Sequence, residues 1–93
     1  MNNSSNELSR HVTIVNDLGL HARSASKIAK LVQNVKSNVW IIKDGERADA
    51  SSIIDILTLA CPKGTKITLT IDDQSDLGIL NKLAQMIESG FGE

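Results

Sequence analysis

Aromatic residues are almost missing from this chain of 93 residues, which contains one Trp, one Phe and no Tyr. Surfaces that bind single-stranded nucleic acid stack bases on aromatic side chains, so the composition argues against that class of protein. A basic excess is missing as well, since 10 Lys and Arg face 11 Asp and Glu, for a formal net charge of -1. We therefore expect no nucleic-acid partner, because phosphate backbones are bound through clustered positive charge.

Cysteine and long apolar runs are equally scarce. Cys61 is the single cysteine, which excludes an internal disulfide and favours a cytoplasmic location. Residues 1–9 lack the apolar core of a signal peptide, and we expect them to form a flexible polar tail before a single domain at 10–93. No apolar run approaches the roughly 18 residues of a membrane span, so no membrane insertion is expected.

Motifs that would bind a nucleotide or a metal are also missing. The sequence contains no P-loop, no GxGxxG after a strand, and no cluster of His and Cys at metal-ligand spacing. We therefore expect no cofactor and no metal. An autonomous enzyme is the least favoured class, and any phosphoryl group on this chain must come from another protein.

The hydrophobic pattern predicts four strands and three helices in the order β-α-β-β-α-β-α. Alternating apolar residues predict strands, and apolar residues recurring every three or four positions predict amphipathic helices. The expected strands are 10–16, 39–43, 46–50 and 66–71, and the expected helices are 22–34, 51–60 and 77–87. This order predicts an α+β two-layer sandwich in which the helices cover one face of the sheet.

His21 stands where the first helix is expected to begin. A helix start presents unpaired backbone N–H groups and a partial positive charge, which together favour an anion. Arg23 adds a cation whose forked donors suit phosphate oxygens. The pattern favours a nucleophilic histidine beside an anion site, because phosphoryl transfer needs little beyond positioning and electrostatic support. The residues alone leave a second interpretation open, a histidine that only caps the helix or is solvated.

The run from Leu18 to Arg23, Leu-Gly-Leu-His-Ala-Arg, resembles the active-site signature of the HPr family, the histidine phosphocarriers of the bacterial sugar phosphotransferase system. The likeness continues through Asp44-Gly45, 50–54, 59–60, 63–65 and 87–92, and it covers about residues 10 to 92. The resemblance implies an open-faced βαββαβα sandwich with a four-stranded antiparallel sheet. It also implies that enzyme I phosphorylates His21, that Arg23 supports the phosphate, and that a IIA-type protein accepts the phosphoryl group.

Three further features are implied by the resemblance. Ser52 falls where many members carry a regulatory phosphoserine made by an HPr serine kinase, although by its position alone it is the N-cap of the second helix. Ile53 and Ile54 match an exposed apolar patch on which partners dock, and Leu20 is a candidate third member. Ordinary packing is the alternative for all three apolar residues. A monomer is expected, because it leaves this patch free.

Ser24 departs from the family, which usually has Pro after His-Ala-Arg. Proline would fix φ in the first turn, whereas serine offers a hydroxyl and an N–H that we expect to face the phosphate. Two alternatives to the sugar-transport role stay open. One is an HPr-like protein of the nitrogen-related regulatory branch, and the other is a binding module controlled through Ser52 that never uses its histidine.

Overall fold

The computed structural model describes residues 8–93, and most of the predicted tail, residues 1–7, lies outside the described part of the chain. The order of elements is β-α-β-β-α-β-α, as predicted. The strands are β1 Ser9–Thr13, β2 Val39–Lys43, β3 Glu46–Asp49 and β4 Lys66–Ile71, and the α-helices are α1 Ala22–Leu31, α2 Ile53–Thr58 and α3 Leu77–Glu88. Short 3-10 turns lie at Val32–Asn34, Gln74–Asp76 and Gly90–Gly92.

The four strands form one sheet in the order β1-β4-β2-β3, and every neighbouring pair is antiparallel. Alternate residues of the two central strands, such as Ile41 and Leu69, are fully buried together with apolar side chains of all three helices. The opposite face is more open, and there the Arg47 guanidinium lies 3.9 Å from the centre of the Trp40 ring. The predicted α+β open-faced sandwich is confirmed. Within residues 8–93, no helix is long and apolar enough to cross a bilayer.

Several element boundaries differ from the prediction. The first strand ends at Thr13 rather than at residue 16, because Ile14 pairs with the loop before β4, donating to the Thr65 carbonyl at 2.9 Å. Helix α2 is shorter than 51–60 at both ends. Its N-cap is Ser52, and its last turn is closed by Lys43, whose Nζ donates to the Leu59 carbonyl at 2.9 Å. Hydrogen bonds from other parts of the chain thus set boundaries that local patterns do not.

Candidate functional site

The loop between β1 and α1 brings His21 to the start of the helix. Gly19 has φ +67, and a Cβ built on it would lie 2.4 Å from the Cys61 carbonyl oxygen, so glycine is the residue that this close approach permits. The next residue, Leu20, donates its N–H to the same carbonyl at 2.8 Å. These contacts fix the loop against the segment after α2, and they determine where α1 begins.

His21 is the N-cap of α1, with an extended backbone at φ -124 and ψ -178. Its Nδ1 accepts the Arg23 backbone N–H at 3.3 Å, and the Ser24 hydroxyl accepts the His21 backbone N–H at 2.9 Å. This reciprocal pair is a capping box. The capping interpretation of His21 is therefore correct, and it has a chemical consequence. Because Nδ1 accepts a hydrogen bond, it carries a lone pair and no proton.

The other ring nitrogen of His21 faces a carboxylate. Nε2 lies 2.6 Å from Glu93 Oε2, and the two side chains are 25% and 20% exposed. An ionised carboxylate only accepts hydrogen bonds, so the hydrogen-bond network assigns the proton to Nε2. The hydrogen bond from His21, followed by one from the Asn16 amide, lowers the pKa of Glu93 below its ordinary value. The carboxylate is thus ionised at neutral pH.

Asn16 joins the loop to Glu93. Its Nδ2 donates to the Gly19 carbonyl at 2.8 Å and to Glu93 Oε1 at 3.0 Å. The side chain is buried, and its Oδ1 has no hydrogen-bond partner among residues 8–93. The sequence analysis missed both Asn16 and Glu93. Asn16 could have been identified, because it is a polar residue at the end of the apolar run predicted as the first strand. Glu93 could not, because it follows a glycine-rich turn in which no periodic pattern indicates a functional residue.

Arg23 is the second residue of α1, and its side chain is exposed. In the part of the chain that the structure describes, its guanidinium makes no hydrogen bond or ion pair. The backbone N–H of the same residue points at His21 Nδ1. An anion bonded to Nδ1 would therefore lie beside the Arg23 backbone N–H at the helix start and near the exposed Arg23 guanidinium.

The prediction that the Ser24 hydroxyl faces a phosphate needs correction. The residue is 0% exposed, and its Oγ lies 3.2 Å from both the Gly19 and His21 carbonyl oxygens besides accepting the His21 N–H. The hydroxyl is therefore satisfied inside the capping box. Its contribution to the site is to shape the backbone that presents the histidine.

The apolar residues near the site divide into exposed and buried ones. Ile54 is 77% exposed and Ile53 is 38% exposed, both on the outer side of α2. Leu20 is only 8% exposed, so its assignment to an exposed patch needs correction, because its backbone bond to Cys61 draws it into the core. Leu18, at 67%, is the exposed leucine of the loop.

Ser52 caps α2, as its position suggested. Its Oγ accepts the Asp55 N–H at 3.2 Å, and the residue is partly exposed. Its hydroxyl is thus accessible at a helix start, immediately before Ile53 and Ile54. The structure brings this serine and the apolar pair together on one element, separate from the His21 capping box but carried by a helix that packs against α1.

Comparison with known proteins gives a consistent picture. A family model described as "PTS HPr component phosphorylation site" matches residues 8–89. Phosphocarrier protein HPr of Neisseria meningitidis is 36% identical over 86 residues, which cover 92% of this chain and 97% of that protein. Phosphocarrier protein NPr of Shewanella violacea is 34% identical over 87 residues, covering 94% and 96%. The crystal structure of HPr from Thermoanaerobacter tengcongensis matches with a TM-score of 0.85 at 30% identity, covering 91% and 96%.

Proposed function

The chain belongs to the PTS-HPr family, and on that premise we propose that it is a cytoplasmic phosphocarrier that uses His21. It accepts a phosphoryl group from phosphorylated enzyme I and passes it to a IIA-type acceptor. The observation that carries the proposal is the state of Nδ1, which accepts the Arg23 N–H on a partly exposed ring at a helix start. That nitrogen carries the unprotonated lone pair that a nucleophile needs.

The transfer follows from this geometry. The Nδ1 lone pair attacks phosphorus, the Nδ1–P bond forms, and the donor's bond to phosphorus breaks with its electron pair returning to the donor. Once Nδ1 is bonded to phosphorus, it no longer accepts the Arg23 backbone N–H, which can then donate to a phosphoryl oxygen. The partial positive charge at the start of the helix also stabilises the phosphoryl group. The exposed Arg23 guanidinium adds a positive charge. The protein depends on donor and acceptor enzymes, so it is a carrier and not itself an enzyme.

The exposed face of α2 supports docking in this proposal. Ile53 and Ile54 form an apolar surface of the kind that binds protein partners, and Ser52 precedes them. A phosphate on Ser52 would be tolerated at the helix start, while its charge would disturb an apolar contact. We therefore propose Ser52 as a regulatory site for a serine kinase, and a monomer as the working state.

The nitrogen-related branch is the second candidate, and the similarity to the Shewanella NPr supports it. Similarity to the Neisseria HPr supports the sugar branch at nearly the same identity. The acceptor distinguishes the two: transfer of label to a sugar-specific IIA protein supports the first, and transfer only to a nitrogen-type IIA protein supports the second. A binding module that never uses its histidine has no need of an unprotonated Nδ1 beside an exposed arginine.

The test uses purified enzyme I and labelled phosphoenolpyruvate. We expect acid-labile label on the wild type, none on His21→Ala, and normal labelling of His11→Ala, which removes the histidine on the open face of the sheet. The matched pair Arg23→Ala and Arg47→Ala tests phosphate support. The first should slow labelling by about 10- to 100-fold, the effect of losing one charged hydrogen bond, and the second should leave the rate unchanged. Label that persists on His21→Ala, or a wild type that stays unlabelled beside a labelled control HPr, contradicts the proposal.

A further inference from the structure

The loop that presents His21 is supported by the residues directly after α2. Leu20, which precedes the histidine, donates its N–H to the Cys61 carbonyl at 2.8 Å. Gly19 lies against the same segment, and a Cβ built on it would be 2.8 Å from the Pro62 Cα. Leu20 is buried, so its side chain belongs to the core. The place of the loop therefore depends on where the backbone of Cys61 lies.

Lys43 holds the two peptide units that lead to Cys61. Its Nζ donates to the Leu59 carbonyl at 2.9 Å and to the Ala60 carbonyl at 2.8 Å. The first bond closes α2, since Leu59 is the C-cap of the helix. The second bond has no such role, because α2 ends at Thr58 and Ala60 lies beyond the cap. The Ala60 carbonyl belongs to the peptide bond with Cys61, so the second bond fixes the residue on which the loop rests.

The backbone at this point needs support from another part of the chain. Ala60 has φ +55, a left-handed conformation that costs a residue with a side chain free energy and persists where the surroundings hold it. Lys43 ends β2, which lies between β4 and β3 in the sheet, so its ammonium is carried by a central strand. Among the ion pairs of residues 8–93, none includes Lys43. Its charge is therefore directed at carbonyl oxygens and not at a carboxylate.

The Cys61 thiol does not compete for the lysine. It is buried, and burial raises its pKa, while the Lys43 charge opposes that shift and the Asp44 charge adds to it. The thiol is thus neutral at pH 7 and packs as a small apolar group. The ammonium therefore acts on this segment through the backbone.

We propose that Lys43 is a positioning residue for His21, acting through the backbone of residues 59–61 and without contact with the ring. The ammonium fixes the peptide bond that precedes Cys61, whose carbonyl holds the Leu20 N–H, and Leu20 leads directly into the N-cap of α1. The effect on phosphoryl transfer rests on the proposed function. Without the lysine the loop would occupy a wider range of positions, and Nδ1 would be aligned with the incoming phosphorus less often.

The first test needs no partner protein and follows exchange of the Leu20 amide proton with water. This proton should exchange about 10-fold faster in Lys43→Met than in the wild type, because the carbonyl that it contacts is no longer fixed. Lys43→Arg keeps a cation with several donors, so its exchange rate should stay close to that of the wild type.

A matched control separates positioning from a general loss of stability. Ile71→Val shortens a buried side chain at the end of β4 that is distant from the loop. It is compared with Lys43→Met at the urea concentrations that give both variants the same free energy of unfolding. Under those conditions the Leu20 proton should exchange about 10-fold more slowly in Ile71→Val. Equal rates in the two variants overturn the proposal.

The second test measures single-turnover transfer from phosphorylated enzyme I. A positioning role predicts that the maximal rate constant falls about 3- to 10-fold in Lys43→Met and recovers in Lys43→Arg. Lys82→Met removes an exposed lysine of α3 and should change nothing. A higher half-saturating concentration with an unchanged maximal rate would place Lys43 in docking alone and overturn the proposal. If enzyme I labels none of these proteins, the proposed donor is wrong, and the exchange of the Leu20 proton still decides whether Lys43 positions the loop.

Discussion

In the first turn of α1, the buried Ser24 hydroxyl accepts the His21 backbone N–H at 2.9 Å. Proline, which the HPr family usually has at this position, would restrict φ there but has no side-chain oxygen to accept that bond. Ser24 therefore stabilises the helix start through a side-chain hydrogen bond, whereas proline would do so by restricting φ. Since the His21 backbone is one of the two partners, the orientation of the reactive ring depends on this hydroxyl.

Replacing Ser24 by Ala should lower the free energy of unfolding by about 1 kcal/mol, because the cap bond is lost and the partly buried His21 N–H loses its acceptor. Ser26→Ala is the matched control on the same helix, at an exposed position. It should change stability by no more than a few tenths of a kcal/mol, in the stabilising direction, through helix propensity. Urea denaturation of the two variants measures both effects. Equal effects in the two variants would show that Ser24 acts through propensity and not through the cap.

Helix α2 has six residues, too few for an isolated helix to be stable in water. Side chains close both of its ends. Ser52 accepts the Asp55 N–H at the start, and Lys43 of β2 donates to the Leu59 and Ala60 carbonyls at 2.9 and 2.8 Å at the end. A cation at this end also matches the helix dipole. The helix that carries the proposed docking surface is thus held partly by the sheet.

Lys43→Met should therefore lower the free energy of unfolding by about 1–2 kcal/mol, since two carbonyls lose a charged donor. Lys63→Met is the comparison, because Lys63 makes an exposed ion pair with Asp17, and solvent screening leaves such pairs with little effect on stability. Hydrogen exchange should rise in α2 for the first variant and stay unchanged there for the second. Unaltered exchange in α2 of Lys43→Met would contradict this account of the helix end.

Within residues 8–93, the type and order of the strands and α-helices could be predicted from periodicity, because each of them buries one face in a common core. The ends could not, since residues distant in sequence set them: Thr65 at the end of β1 and Lys43 at the end of α2. At the site, His21 and Arg23 follow a turn directly, so the neighbouring sequence was enough to predict them as site residues. Glu93 lies 72 positions from His21, and its contact exists only after the last helix and its turn have packed.

Among residues 8–93, three carboxyl groups have pKa values below their ordinary ones, each in a different segment. The hydrogen bond from Lys63 lowers the pKa of Asp17, the backbone N–H of Ser75 lowers that of Asp73, and His21 lowers that of Glu93. All three groups lie at the surface, so each effect is screened by solvent. All three pKa values are nevertheless shifted downwards, so the losses of stability from the three groups add together as the pH falls.

The expected pH dependence follows from that sign. A carboxyl group whose pKa is lower in the folded than in the unfolded chain contributes stability that is fully present above the unfolded value, 3.8 for Asp and 4.5 for Glu. That stability is lost as the pH falls through the folded value. The urea midpoint should thus be constant from about pH 7 to about pH 5 and decrease below that range. Glu93→Gln removes one of the three groups, so its midpoint should fall less steeply in acid than that of the wild type or of the control Glu88→Gln. A Glu93→Gln curve parallel to the wild type would show that the contact with His21 does not contribute to stability in solution.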